Sequence, residues 1–205
     1  MNRKEKAEKI GALLKKLFPN PKIALNYNSD FNLLVAVILS AQTTDKKVNE
    51  VTPEIFKSFK TAADYSKLNQ VGFEPYIKSI GLYRGKAKNI LASAAIIDEK
   101  FGGKIPKTMK EMVDLPGVGR KTANVVLSLI YDINEGIAVD THVRRLAQLW
   151  GLSQNSNPDK IERDLMEIIP KNEWRDFTLM TINYGRRYCP ANCKHKDCPL
   201  REFII

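Results

Sequence analysis

Residues Leu115–Leu127 read LPGVGRKTANVVL, a glycine-framed turn that opens directly into a helical run. Gly117 and Gly119 permit positive φ and close approach of the backbone, and a helix beginning near Arg120 turns its unsatisfied N–H groups toward whatever lies against that turn. Such a turn binds phosphate without reading sequence. Upstream, Thr108–Glu111 reads TMKE, the pattern of a capping box, so a short helix running to Leu115 precedes the turn. The unit is helix, hairpin, helix. A GVG turn alone suits an ordinary αα-hairpin equally well. Here it is followed at once by Lys121 and then by AVDTHVRR at Ala138–Arg145, a far more specific combination.

The chain around this unit is basic. Thirty-three Lys and Arg against 23 Asp and Glu leave a formal net charge of +10, which favours a polyanionic partner such as DNA or RNA; simple solubility is the alternative that charge alone leaves standing. With 205 residues and 43% hydrophobic content, the chain is long enough to bury a proper core, in one domain or two small ones. Its longest apolar run, Leu33–Leu39, is too short to cross a bilayer, and MNRKEKAEK at the N-terminus lacks a signal-peptide core, so no membrane partner and a cytoplasmic location are expected. Three cysteines crowd between Cys189 and Cys198, a distribution that makes no disulfide framework and suggests a metal site.

Helical punctuation dominates the rest. Ile10, Leu13, Leu14 and Leu17 recur at helical spacing across Arg3–Phe18, and Asp30 can cap a helix over Phe31–Ala41 that would be buried nearly all round. Further helices are expected at Lys46–Val51, at Pro53–Phe59 with Thr52 as cap, at Ala62–Leu68 after Thr61, at Glu74–Ile80, and at Arg84–Phe101 closed by Gly102 and Gly103. Asn134, Glu135 and Gly136 break the hairpin's second helix. Asp140 then stands at the N-cap of a helix to Trp150, with two more near Pro158–Ile169 and Glu173–Tyr184. No period-two alternation of useful length appears, so the fold class is all-α.

The hairpin and the aspartate segment resemble those of the endonuclease III family, bifunctional DNA glycosylases of the helix-hairpin-helix superfamily. The resemblance extends to LLVAVILSAQTTD at Leu33–Asp45, YIKSIGLYRGKAKNI at Tyr76–Ile90 and NYGRRYC at Asn183–Cys189, in the family's order. It implies a two-domain fold: a six-helix domain over 23–133 carrying the hairpin, and a second helical domain from 1–22 plus 134–205, with the active site in the cleft between them. It also implies base-excision repair by a monomer acting on double-stranded DNA with damaged bases or abasic sites, associated with the nucleoid in a prokaryote. Oxidised pyrimidines would be removed and the abasic site cleaved by β-elimination. A monofunctional mismatch glycosylase is the alternative within the superfamily, although such relatives usually lack a lysine at the position of Lys121. A non-catalytic helix-hairpin-helix DNA-binding protein is the alternative outside enzymes.

By the same resemblance Lys121 attacks the sugar C1′ to form a Schiff base. Position alone favours Lys121 as a simple phosphate contact, and the matched Asp140 reverses that preference. Asp140 would stabilise positive charge on the deoxyribose and assist Lys121, with N-capping as its plain role. Gln42 and Leu82 match the residues that fill the gap left by an extruded nucleotide, and core packing is the alternative for Leu82. Gly117, Gly119, Arg120 and Thr122 would hold DNA at the hairpin. Arg84, Lys86 and Lys88 are DNA-facing cations or a solvated helix face, His142 a structural hydrogen bond or a DNA-backbone contact, and Ser40 and Asp45 cleft residues or helix caps.

The C-terminus departs from the family. Relatives with a [4Fe-4S] cluster carry C-x6-C-x2-C-x5-C, whereas Cys189, Cys193 and Cys198 stand as C-x3-C-x4-C. Aligned on Cys198-Pro199-Leu200, His195 takes the second ligand position and Ile204 the fourth. A [4Fe-4S] cluster with a histidine ligand, a zinc site on Cys189, Cys193, His195 and Cys198, and no metal at all are three open readings.

Overall fold

In a computed structural model that describes residues 1–205, the segment Asp30–Ser40 forms helix α2, and every residue from Phe31 to Leu39 is buried. The sequence makes that possible. Nine successive positions carry only one polar side chain, Asn32, and that one is satisfied. Its Nδ2 donates to Asn28 Oδ1 at 2.6 Å and to the Phe59 carbonyl at 3.3 Å, while its Oδ1 accepts from Tyr65 Oη at 3.2 Å. Ser29, rather than Asp30, caps the helix, accepting from Asn32 N; Asp30 lies in the first turn, where its charge complements the helix end.

The order is α1 (Arg3–Leu17), α2, α3 (Asp45–Ser58), α4 (Ala62–Ser66), α5 (Gln70–Ile77), α6 (Tyr83–Phe101), α7 (Met109–Val113), α8 (Arg120–Tyr131), α9 (Thr141–Leu149), α10 (Pro158–Ile168) and α11 (Trp174–Arg187). Short 3-10 turns occupy Lys171–Glu173 and Arg201–Phe203. There is no strand, and the chain is all-α. No helix is long and apolar enough to cross a membrane.

The chain divides into two compact units, Ala24–Ile133 and Met1–Ile23 with Asn134–Ile205. The first contains seven helices, α2–α8, where the resemblance implies six. Thr61 and Asp64 form a complete capping box, enough to start the five-residue α4 as a separate helix. Around it Phe31, Phe59, Tyr65, Phe73 and Tyr76 make a chain of ring contacts with centroids 5.0–6.4 Å apart. Pro53 corrects the expected break at Thr52, because α3 runs through it. The ring sits on the exposed face, while Val48, Thr52, Ile55 and Phe56 anchor the other face in the core. Likewise α5 starts at Gln70 under an Asn69 cap and contains Pro75.

The second unit joins both chain ends. Ile10 and Leu14 of α1, Leu146 of α9, Trp150, Leu165 of α10, Tyr184 of α11, Leu200 and Phe203 belong to one buried cluster. The tail is held in it by hydrogen bonds as well. Lys6 Nζ donates to the carbonyls of Trp150 at 3.0 Å and Phe203 at 3.3 Å, and Ile205 N donates to the Leu149 carbonyl at 3.0 Å.

Candidate active site and metal centre

The hairpin turn is built around one left-handed residue. Gly117 has φ +78, and a Cβ there would lie 2.8 Å from the Asn89 Cβ, so both conformation and space demand glycine. Gly119 differs from expectation. It is the N-cap of α8 at φ −88, a conformation open to any residue, and nothing lies within 4 Å of the position its Cβ would take. Its lack of a side chain therefore leaves open space outside the turn, and no capping side chain occupies the start of α8. A helix start without a side-chain cap, its N–H groups turned toward the turn, is the kind that binds an anion.

Behind the turn, α6 acts as a brace. Asn89 packs on Gly117, and Ser93, one helical turn further, donates from Oγ to the Pro116 carbonyl at 2.8 Å. Ahead of it, Arg120 and Lys121 are exposed and Thr122 is half-buried. Ala123 and Val126 face the core, with Ala123 N closing the first helical bond onto Gly119 O at 2.9 Å. This register is what turns Lys121 outward.

Lys86 corrects the reading of α6 as a row of DNA-facing cations. It is only 6% exposed, and its ammonium donates to the carbonyls of Leu39 at 2.8 Å and Ala41 at 2.6 Å and to Thr43 Oγ1 at 3.0 Å. Burial lowers its pKa. It ties α6 to the loop after α2, and that loop carries Gln42. Gln42 (φ +54) and Leu82 (φ +58) are both exposed and both left-handed, a conformation costing about 1–2 kcal/mol for a residue with a Cβ. Leu82 is 66% exposed, which removes core packing as its role. The two loops adjoin, since a Cβ on Gly81 would meet Gln42 O at 3.8 Å. Ser40 is a back-bonded helix end, with Oγ on the Val37 carbonyl at 2.8 Å; Asp45 opens α3 behind the Thr44 cap.

In the other unit Asp140 is the N-cap of α9, with Oδ1 accepting from Val143 N at 2.8 Å. It is half-buried, so one carboxylate oxygen is fixed by the helix while the group stays within reach of solvent. His142 lies in the same first turn, against α11. A Cβ on Gly185 would fall 2.5 Å from His142 Nδ1, so Gly185 is the residue that admits the imidazole.

Cys189, Cys193, His195 and Cys198 converge, their ligand atoms all within 4.8 Å of one another. The pairs Cys193 Sγ–Cys198 Sγ, Cys189 Sγ–His195 Nδ1 and Cys198 Sγ–His195 Nδ1 are 3.3, 3.4 and 3.8 Å apart. Arg145 reaches the Cys189 carbonyl through Nη2 and its Sγ through Nη1 at 3.5 Å. The four side chains can bind a metal.

Residues 35–171 match the HhH-GPD superfamily of base excision DNA repair proteins. Over 190 residues the chain is 45% identical to endonuclease III of Synechocystis, covering 93% of this chain and 87% of the relative. The chain belongs to the endonuclease III family. A Bacillus subtilis endonuclease III is 42% identical over 94% of this chain and 87% of its own length. A non-covalent endonuclease III–DNA complex superposes with a TM-score of 0.93 at 39% identity, covering 100% of this chain and 96% of the other. A trapped covalent endonuclease III–DNA intermediate gives the same values. Against the family's hairpin and aspartate segments, Asn89 and Ser93 are the parts that motif reading passed over, and Lys86 is the one it turned outward. For Lys86 and Ser93 the signal is spacing: Lys86, Ile90, Ser93, Ala94 and Ile97 all fall on the buried stripe of α6.

Proposed function

We propose that the chain is a bifunctional DNA glycosylase and abasic-site lyase of base-excision repair, acting as a monomer in the cytoplasm on oxidised pyrimidines in duplex DNA. The observation that carries the reading is an exposed lysine, Lys121, in the first turn of an uncapped helix behind a GVG turn, in a chain of the endonuclease III family.

In this reading the N–H groups at the start of α8, the open space at Gly119, and Gly117, Arg120 and Thr122 hold a DNA phosphate. Gln42 and Leu82 enter the duplex where the target nucleotide has left it. Their pre-set left-handed backbones keep both side chains standing outward. The Lys121 amine bonds to C1′ as the C1′–N bond to the damaged base breaks and the departing base takes up a proton. The Asp140 carboxylate, held by Val143 N, offsets the positive charge that develops on the sugar. Ring opening leaves a protonated Schiff base on Lys121. Loss of a proton from C2′ then breaks the C3′–O bond, the 3′ phosphate departs, and water releases the lysine.

The test is borohydride trapping on a lesion-bearing duplex. Wild type should form a covalent adduct and cleave the strand, whereas Lys121→Ala should do neither and keep duplex affinity within a few-fold, because phosphate contacts dominate binding. Excision without strand cleavage by wild type would leave the monofunctional mismatch reading in its place, and binding without excision the non-catalytic one.

A further inference from the structure

The C-terminal quartet is sized for one ion. Around a single tetrahedral zinc, with sulfur at about 2.3 Å and nitrogen at about 2.0 Å, the donor atoms stand roughly 3.5–3.8 Å apart. The close pairs here, at 3.3, 3.4 and 3.8 Å, bracket that spacing, and no pair of ligand atoms exceeds 4.8 Å. A four-iron cluster imposes a different requirement. Each ligand binds its own iron at a corner of the cube, so the whole body of irons and sulfides separates one ligand from the next. Donors this close leave no room for it.

The surroundings agree with the spacing. His195 has φ +60, and this left-handed turn places its N–H on Cys193 Sγ at 3.3 Å while its Nδ1 lies between Cys189 and Cys198. An amide N–H on a sulfur and a guanidinium, that of Arg145, on another are outer partners that steady thiolate ligands and offset their charge. Cys189 and Cys198 are 1% and 2% exposed, so their sulfurs are shielded from water. The position where the family's fourth cysteine would fall is Ile204, which packs against the hydrophobic cluster and offers no ligand.

We propose that Cys189, Cys193, His195 through Nδ1, and Cys198 form a mononuclear Cys3His site for a divalent ion of the zinc class, and that this chain does not assemble the [4Fe-4S] cluster of its relatives. The site pins the segment after α11 and takes no part in the chemistry at Lys121.

The experiment uses the full chain, expressed with both iron and zinc supplied and purified without oxygen. Metal and acid-labile sulfide are measured per chain, and absorption spectra are recorded before and after replacement of the metal by cobalt(II). The proposal expects about one zinc per chain, no sulfide, a colourless protein, and after replacement the visible bands of tetrahedral cobalt with thiolate charge transfer. X-ray absorption at the zinc edge should show three sulfurs and one nitrogen. His195→Ala should lose the nitrogen shell and bind zinc more weakly. Because that variant could be impaired in folding, the metal and sulfide content of the wild type is the deciding measurement. Brown protein containing iron and sulfide overturns the proposal, and so does metal-free protein with Cys193 and Cys198 joined in a disulfide.

Discussion

Lys86→Met removes an ammonium while keeping most of the buried stem, and it tests whether the loop carrying Gln42 is held by that one cation. All three ammonium protons are used, on Leu39 O, Ala41 O and Thr43 Oγ1. Charge-assisted hydrogen bonds contribute about 1.5–3 kcal/mol each, against several kcal/mol for taking an ammonium out of water, so the net loss on substitution is about 2–4 kcal/mol. For a chain of this size that lowers Tm by about 5–15 °C. The functional effect should be steeper, because Lys86 also donates its backbone N–H to Leu82 O at 3.1 Å and so is bonded to both exposed left-handed loops. A misplacement of about 1 Å in a positioning element costs up to about 100-fold, so excision measured as kcat/KM should fall about 10- to 100-fold. Affinity for undamaged duplex should hold, since it rests on phosphate contacts elsewhere. Thermal melting read beside single-turnover excision decides it. A Lys86→Met protein with unchanged Tm and full excision would refute the bracing role.

Asp140→Asn keeps an oxygen for Val143 N and removes the charge, so Tm should change little while excision falls sharply; equal excision in the two proteins would reduce Asp140 to a cap. Gly117→Ala places a Cβ at φ +78 and 2.8 Å from Asn89 Cβ, which should cost about 2 kcal/mol or more in urea unfolding, and an unchanged midpoint would contradict the packing. At acid pH two carboxylates matter. Asp64 is held below its ordinary value by the backbone N–H groups of Lys60 and Thr61. Burial opposes the charge of Asp164, but bonds from Ser153 and Asn155 and the nearby Arg3 outweigh it and hold its carboxyl low too. Because both folded values lie below the unfolded ones, their stabilisation is complete above the ordinary carboxylate value and drains away as pH falls through the folded values. Urea midpoints followed from about pH 5 to pH 2 should therefore drop less steeply in Asp64→Asn and Asp164→Asn than in wild type, and parallel curves would show that these groups do not set the acid limb.

Helix ends are legible in the sequence wherever a side chain settles the local geometry. Thr61, Thr108, Asp140 and Asn157 each cap the helix that follows them, and Gly102 closes α6 at φ +57, because capping is decided within four residues. Prolines mislead for the opposite reason. Pro53 and Pro75 lie inside α3 and α5, where burial of Ile55, Phe56, Phe73 and Ile77 outweighs one missing hydrogen bond. That burial depends on neighbours far along the chain. The tail shows the same dependence: Leu200 and Phe203 are buried in the cluster shared with α1, α9, α10 and α11, whose members lie far along the chain.

Lys86 and Lys121 show why site residues divide in the same way. Both are lysines in the first turn of a helix whose start has no side-chain cap, and composition gives no reason to treat them differently. Their registers do. On α8 the inward positions are Ala123, Val126 and Leu127, which leaves Lys121 exposed. On α6 the inward positions are Ile90, Ser93, Ala94 and Ile97, and counting back four residues from Ile90 lands on Lys86. A lysine at that point must bury its charge, and it persists there only if carbonyls are waiting. The end of α2 supplies them, because the last carbonyls of a helix have no partner within it. The basis for a structural lysine was thus present in the sequence as two facts in separate places, a cation on a buried stripe and a helix ending near Ala41 with no glycine or asparagine directly after it to close it. Only the folded chain brings them to 2.6–3.0 Å.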